Sequence, residues 1–532
     1  MRDNTHRNRV VTSILASMVA IYAMSQAQGE RPQLVVNILV DQMRGDYIEL
    51  LHDYFGDSGF KRLTDKGVCF KNVDFNADNV DVVSGSAMLV TGAYPRINGV
   101  SGSQFYDITR RVPQKVLTDA STMGNFTNEK LSPKALRVST LSDELKISTE
   151  GRGYVYSIAA DAQQSIILAG HAANGAFWLD DVNGKWATST FYPDVPKFLS
   201  NRNYKMPLSA RIDTMAWTPS KSADVYAEIL SHKKNSDFRY VFPVTRPDRY
   251  KSFKRSALVN EEVTSVALDF LASLDMGKRG EVDMLNLGYT LSPYSDEAGE
   301  GSVELVDKYL CLDRQLARLF DAIDSRVGLK NTLVVVSSTG YFSDNSIVEA
   351  RYKVPSGVFN PNKAKSLLNL YLVALYGNAH WVDDFNGETF YLNHKAAKEH
   401  NITVKELRRS ASDFLRRMSG VARTYSLDDI IDNAWGNVDQ KVYNALVANH
   451  AGDVIVKVMP GWIISESEDS FGPDAKVIRS NIVSTPLYIL HPKLEARKII
   501  MPVDATILAP TISRLLRIRS PNAAYEKPYI LE

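Results

Sequence analysis

Two kinds of apolar pattern alternate along the chain. Gln33-Leu-Val-Val-Asn-Ile-Leu-Val-Asp41 and Thr332-Leu-Val-Val-Val-Ser-Ser338 are short, nearly unbroken apolar runs, the signature of strands covered on both faces of a parallel sheet. Segments 155–160, 283–290, 370–375 and 453–457 read as further strands. Between them, apolar residues recur at helical spacing near 58–66, 223–232, 262–275, 303–325, 404–418 and 506–516. The alternation predicts an α/β fold: a mixed, mostly parallel central sheet with helices on both faces. No internal repeat or low-complexity linker interrupts it. Residues 33–532 are therefore expected to form a single α/β domain with insertions at about 150–260 and 350–450.

The first strand ends in Asp41, just before a loop. Ligands in open α/β sheets bind at the carboxyl ends of strands, so this carboxylate is a candidate site residue. A helix-capping role is the plainer alternative.

The amino terminus has a different pattern. Arg2, Arg7 and Arg9 precede the apolar run VVTSILASMVAIYAM, and Ser25-Gln26-Ala27 follows as a small-x-small cleavage site. Residues 1–27 read as a secretory signal peptide, since the run is shorter than the roughly 20 residues a membrane span needs. No Cys follows the run to carry a lipid. The mature chain is expected to be exported, periplasmic or extracellular, with peripheral attachment to the outer membrane as one placement and no integral span.

Composition adds little to this picture. Of the 532 residues, 44% are hydrophobic and 23% charged, the make-up of a folded protein. With 62 basic against 61 acidic residues, no global field favours nucleic acid. The cysteines, Cys69 and Cys311, lie far apart in sequence, and two free thiols are expected in preference to a disulfide.

Candidate chemistry centres on residues 79–92, NVDVVSGSAMLVTG. A turn enters a short helix ending at Thr91-Gly92, the arrangement in which many hydrolases present a catalytic Ser or Thr. Val82 stands where that residue belongs, and Ser84 and Ser86 are the nearby hydroxyls.

The stretches LVDQMRGDY (39–47), GFKRLTDKG (59–67), TGAYPRINGV (91–100), LAGHAANGAFWLD (168–180) and YLNHKAAKEH (391–400) resemble the phosphate-irrepressible branch of the alkaline phosphatase superfamily, related to the nucleotide pyrophosphatase-phosphodiesterases. GVFNPNKAKSLLNLYLVALYG (357–377), AGDVIVKVMPGW (451–462) and MPVDATILAPTISRLLRI (501–518) continue the likeness in the same order. The resemblance implies an alkaline-phosphatase-like fold. It also implies a hydrolase with two zinc ions about 4 Å apart, one activating a Thr or Ser nucleophile and the other stabilising the leaving oxygen.

Position by position, the implied machinery is missing. Asp41 matches the first metal ligand and is the one ligand retained. Counting back from Thr91-Gly92 places Val82 at the nucleophile, and a valine methyl cannot attack phosphorus. Tyr294 replaces a ligating Asp in LSPYSDEAGEGSVEL, which contains no His; Thr339 and Gly340 replace an adjacent Asp-His pair; Ala475 falls at the last ligating His. Of the groups that clamp phosphoryl oxygens, the Asn is replaced by Ser103, the Lys by Asp161 and the Arg by Gln163. His171, in the retained AGHAANGAFW segment, is expected to be structural.

The resulting expectation is a secreted pseudoenzyme of this superfamily with no cofactor. Its function would move to binding an envelope protein or a small ligand, without nucleic acid. Asp41 and Asp161 apart, the former cleft positions are uncharged, which favours a neutral ligand or a protein contact over a phosphate ester. The alternative is a divergent phosphoric ester hydrolase with a rearranged site. It would use Ser84 or Ser86 as nucleophile, and zinc or a harder ion held by Asp41, Asp81, Asp296 and Glu297.

Overall fold

The computed structural model describes residues 31–531 apart from 193–194, 232–236, 296–297, 341, 343–356, 433–435, 437, 467–475 and 478–484. The proposed signal peptide therefore lies outside the described residues. Five parallel strands form the middle of a ten-stranded sheet, in the spatial order Thr332–Ser338, Leu34–Asp41, Asp283–Thr290, Val155–Ala159, Gly175–Leu179. Antiparallel neighbours extend both sides, Leu487–Leu490 beyond the first and Trp186–Ser189 beyond the last. The α/β expectation with a mixed sheet thus holds.

The register explains where a site can form. Asp41 pairs with Thr290 and Val40 with Ser338, so the central strands end level with one another. Residues just past those ends, Thr339 and Asp161 among them, converge on one rim.

Alternation along the first strand divides the core. Val36, Ile38 and Val40 pack on the side of Leu312, Leu316 and Phe320, from the long helix Val303–Arg326. Val35 and Leu39 face the helices Val82–Thr91, Ala162–Ala169 and Leu508–Leu516. A period of two on a sheet buried on both faces requires this division.

Two expectations need correction. Residues 370–375 are not a strand; they belong to the helix Pro361–Tyr376. Asn360 caps that helix by accepting from the Lys363 amide, Pro361 occupies its first turn, and Ala364, Leu368 and Leu372 are buried at four-residue spacing. A six-residue apolar run does not distinguish strand from helix, and the cap upstream decides. The segment beginning near 150 is also not wholly an insertion, because Val155–Ala159, Gly175–Leu179 and Trp186–Ser189 are strands of the central sheet.

The strand Val454–Val458 belongs to a second, four-stranded antiparallel sheet with Val382–Asn386, Thr389–Leu392 and Val421–Ser426. This sheet has its own core around Phe390, Leu407 and Val456. Cys69 and Cys311 are free thiols. No helix of the described residues is long and apolar enough to cross a membrane.

Candidate functional site

Asp41, Val82 and Asp161, distant in sequence, line one cleft of about 390 Å³ at the rim of the central strands. Asp41 accepts a hydrogen bond from Thr339 Oγ1 at 3.1 Å, so the residue at one expected ligand position is bonded to the retained ligand. Burial pushes the Asp41 carboxyl up to about 7; the Thr339 bond opposes this, and the neighbouring Asp161 and Asp81 charges reinforce it. The nearest compensating charge is Lys308, wholly buried on the long helix, whose ammonium donates to the backbone carbonyls of Arg255, at 2.8 Å, and Ser292. Burial draws the Lys308 amine down to about 7, against the pull of Asp41.

The helix Val82–Thr91 begins in the cleft wall and is closed off by its own residues. Asp81 caps it, accepting from the Val83 amide at 3.0 Å, the Ser84 amide at 2.9 Å and Ser84 Oγ at 2.9 Å. Its second oxygen accepts from the Ser103 amide at 2.5 Å. A helix amino terminus is a natural anion site, because its first N–H groups lack intrahelical partners. Here an internal carboxylate occupies that position and ties it to the Ser103 turn. Val82 presents only methyl groups to the cleft. Ser84 and Ser86 are both buried, and Ser86 Oγ donates back to the Val82 carbonyl at 2.6 Å, so neither lines the cleft.

Asp161 caps the helix Ala162–Ala169 by accepting from the Gln164 amide at 2.9 Å. Gln163 is buried and lies outside the cleft lining, whereas its neighbour Gln164 is in the wall. Ser103 lines a second, larger cleft of about 510 Å³, together with Asp81, Phe105, Tyr391 and His450. Phe105 and His450 stack there with ring centroids 3.9 Å apart. Tyr294 is buried among aromatic rings, 3.9 Å from Tyr240 and 5.8 Å from Trp217. Gly340 has φ +75°, and a Cβ at that position would overlap the Phe75 ring. Ala475, Asp296 and Glu297 lie outside the described residues.

Among the described residues, the donors around Asp41 are too few for zinc. Two zinc sites require several N, O or S ligands each. No group of three or more His, Cys, Asp or Glu suited to a metal occurs among the described residues. His171 is committed elsewhere: its Nδ1 lies 3.0 Å from Asp143 and its Nε2 3.0 Å from the Leu136 carbonyl, both bonds holding its proton affinity up.

Lys251, Lys254 and Arg255 also line the smaller cleft, contributed by the helix Arg249–Arg255. Sequence reasoning missed them and treated the cleft as lacking basic groups. Lys251 and Arg255 are four residues apart and therefore share a helix face, but no motif links RYKSFKR to the strand ends. Only packing brings this helix over the rim.

The chain is similar in sequence and fold to known proteins. Residues 35–476 match the family model described as type I phosphodiesterase / nucleotide pyrophosphatase. The chain is 27% identical over 523 residues to alkaline phosphatase PafA of Elizabethkingia meningoseptica, covering 94% of each chain. It is 26% identical to alkaline phosphatase PhoV of Synechococcus elongatus over 516 residues, covering 93% of this chain and 92% of PhoV. The crystal structure of wild-type alkaline phosphatase PafA superposes with a TM-score of 0.81 at 26% identity, over 94% of this chain and 98% of that one. With the family model spanning residues 35–476 and the whole-chain likeness in sequence and fold, the chain belongs to the type I phosphodiesterase / nucleotide pyrophosphatase family and is a PafA-like member of the alkaline phosphatase superfamily.

Proposed function

We propose that this protein is an exported, non-hydrolytic member of its family, a pseudoenzyme of the cell envelope that uses the former catalytic cleft to bind. The observation that carries the reading is the state of the Val82–Thr91 helix. Its reactive position holds Val82, and its anion-binding end is filled by the Asp81 carboxylate. Transition-state stabilisation in phosphoryl transfer depends on cations and N–H donors placed where charge develops. In this cleft the donors of the helix end are already spent on Asp81, and Asp161 and Gln163 stand where the resemblance places clamping cations.

Several further features support the same reading. Thr339 donates to Asp41, and the described residues offer no group of three or more candidate metal ligands. The overall fold is shared with alkaline phosphatase PafA, with a TM-score of 0.81, and a cleft remains at the rim of the central strands, which supports a binding role for it.

The test is metal analysis of the purified mature chain combined with assays on aryl phosphate mono- and diesters. Neither stoichiometric zinc nor metal-dependent hydrolysis is expected. Two equivalents of tightly bound metal with metal-dependent turnover would overturn the proposal and restore a rearranged hydrolase.

A further inference from the structure

The side chains of Lys251 and Arg255 make no contribution to folding that the structure explains. Both are exposed at the cleft, and among the described residues neither side chain has a hydrogen-bond or ion-pair partner. Like charges four residues apart on a helix repel each other. Lys254, between them, is neutralised, donating to Asp181 at 2.5 Å and to the Leu179 carbonyl at 2.9 Å. Across the cleft, Gln164 is buried, and its amide nitrogen has no partner. An unsatisfied buried donor is uncommon in a folded protein and points to a missing acceptor.

We propose that the smaller cleft is a binding site for a small polyhydroxylated monocarboxylate of sugar-acid size, its carboxylate held by Arg255 and Lys251. The planar guanidinium suits the two oxygens of a carboxylate, and the lysine adds a second charge-assisted bond. Hydroxyl groups on the ligand match the remaining polar lining. Asp161 and Ser292 accept or exchange hydrogen bonds. The cleft volume of about 390 Å³ falls within the range of small-molecule sites, roughly 300–1,000 Å³.

Charge selects against a phosphate ester. The Asp41 and Asp161 carboxylates lie in the same lining as the two free cations, with no group of metal ligands beside them among the described residues. A dianion would face both carboxylates, whereas a monoanion presents one charge to the cationic side and neutral hydroxyls to the acidic side.

This inference rests on the non-hydrolytic reading and is tested by isothermal titration of the mature chain with D-galacturonate, D-galactose and inorganic phosphate. Saturable, stoichiometric galacturonate binding is expected, with galactose at least about tenfold weaker because it lacks the carboxylate. Arg255→Gln and Lys251→Gln, both at exposed side chains, should each weaken binding about tenfold or more while leaving the melting temperature unchanged. Lys395→Gln, on the second-sheet side of the chain, should have no effect. Absence of galacturonate binding, or binding that neither cleft substitution weakens, would overturn the site. Phosphate binding tighter than galacturonate would also overturn it. Turnover of a phosphate ester in parallel assays would overturn the non-hydrolytic reading instead, so the two failures are distinguishable.

Discussion

The Asp81 cap makes a quantitative prediction. In Asp81→Ala the Val83 and Ser84 amides lose their acceptor, and so does the Ser103 amide 22 residues away. Loss of an N-cap destabilises by about 1 kcal/mol. Loss of a hydrogen bond to a charged acceptor costs about 1.5 kcal/mol at a partly exposed position, where water replaces some of the lost interaction. The total is about 2–3 kcal/mol. Asp81→Asn separates the two contributions, since Asn caps helices about as well as Asp; it should lose only about 1 kcal/mol, from the missing charge at Ser103. Urea unfolding followed by tryptophan fluorescence should therefore rank the wild type above Asp81→Asn and Asp81→Ala lowest. Formate should raise the midpoint of Asp81→Ala in a concentration-dependent way, because an anion that binds only the native state stabilises it by mass action. The wild type, where that end of the helix is already occupied, should gain less, and the difference between the two shifts reports the vacated helix end. An Asp81→Ala midpoint equal to wild type, or identical losses in both variants, would refute the claim that this carboxylate fills the anion site.

Two further outcomes follow from local geometry. A Cβ added at Gly85 would overlap the Thr339 backbone carbonyl, which cannot rotate away, so Gly85→Ala should destabilise by about 3 kcal/mol or more, or yield insoluble protein, as judged by thermal melting. In the second sheet, His394 Nε2 lies 2.7 Å from Asp453, whose carboxylate also accepts from Arg408. The Asp453 bond raises the His394 pKa above its ordinary value, so the stabilisation is present in full below about 6.5 and is lost as pH rises through the raised value. His394→Gln should therefore lower the melting temperature more at pH 5.5 than at pH 8.5; an equal loss at both would refute the pairing.

Much of the fold was legible because it is written in local periodicity. The runs ending at Asp41 and Ser338 read as buried strands, and both lie at the centre of the sheet. Residues 370–375 misled because a short apolar run fits either period, and the deciding information, the Asn360 cap and the four-residue burial spacing, lies upstream. For the site, the family resemblance placed Asp41, Val82 and Asp161 together, and the fold brings all three to one cleft at a strand end or helix start.

What the sequence determined by itself was the residue type at each position set against the family resemblance: Val82 carries no nucleophilic atom, and Thr339 and Gly340 are neither Asp nor His, whatever the packing. Tertiary structure alone decided what surrounds these positions. Asp81 caps its helix through local bonds, but its second oxygen meets the Ser103 amide only once that turn is folded against it. Lys308 became a buried counter-charge only when its helix was packed beneath the rim. Lys251 and Arg255, more than 150 residues from the Val82 loop, reach the cleft through the docking of one short helix. Chemical identity is a property of each residue alone, but a site's charge depends on which side chains the folded chain brings within a few ångströms of one another, and no local pattern encodes that.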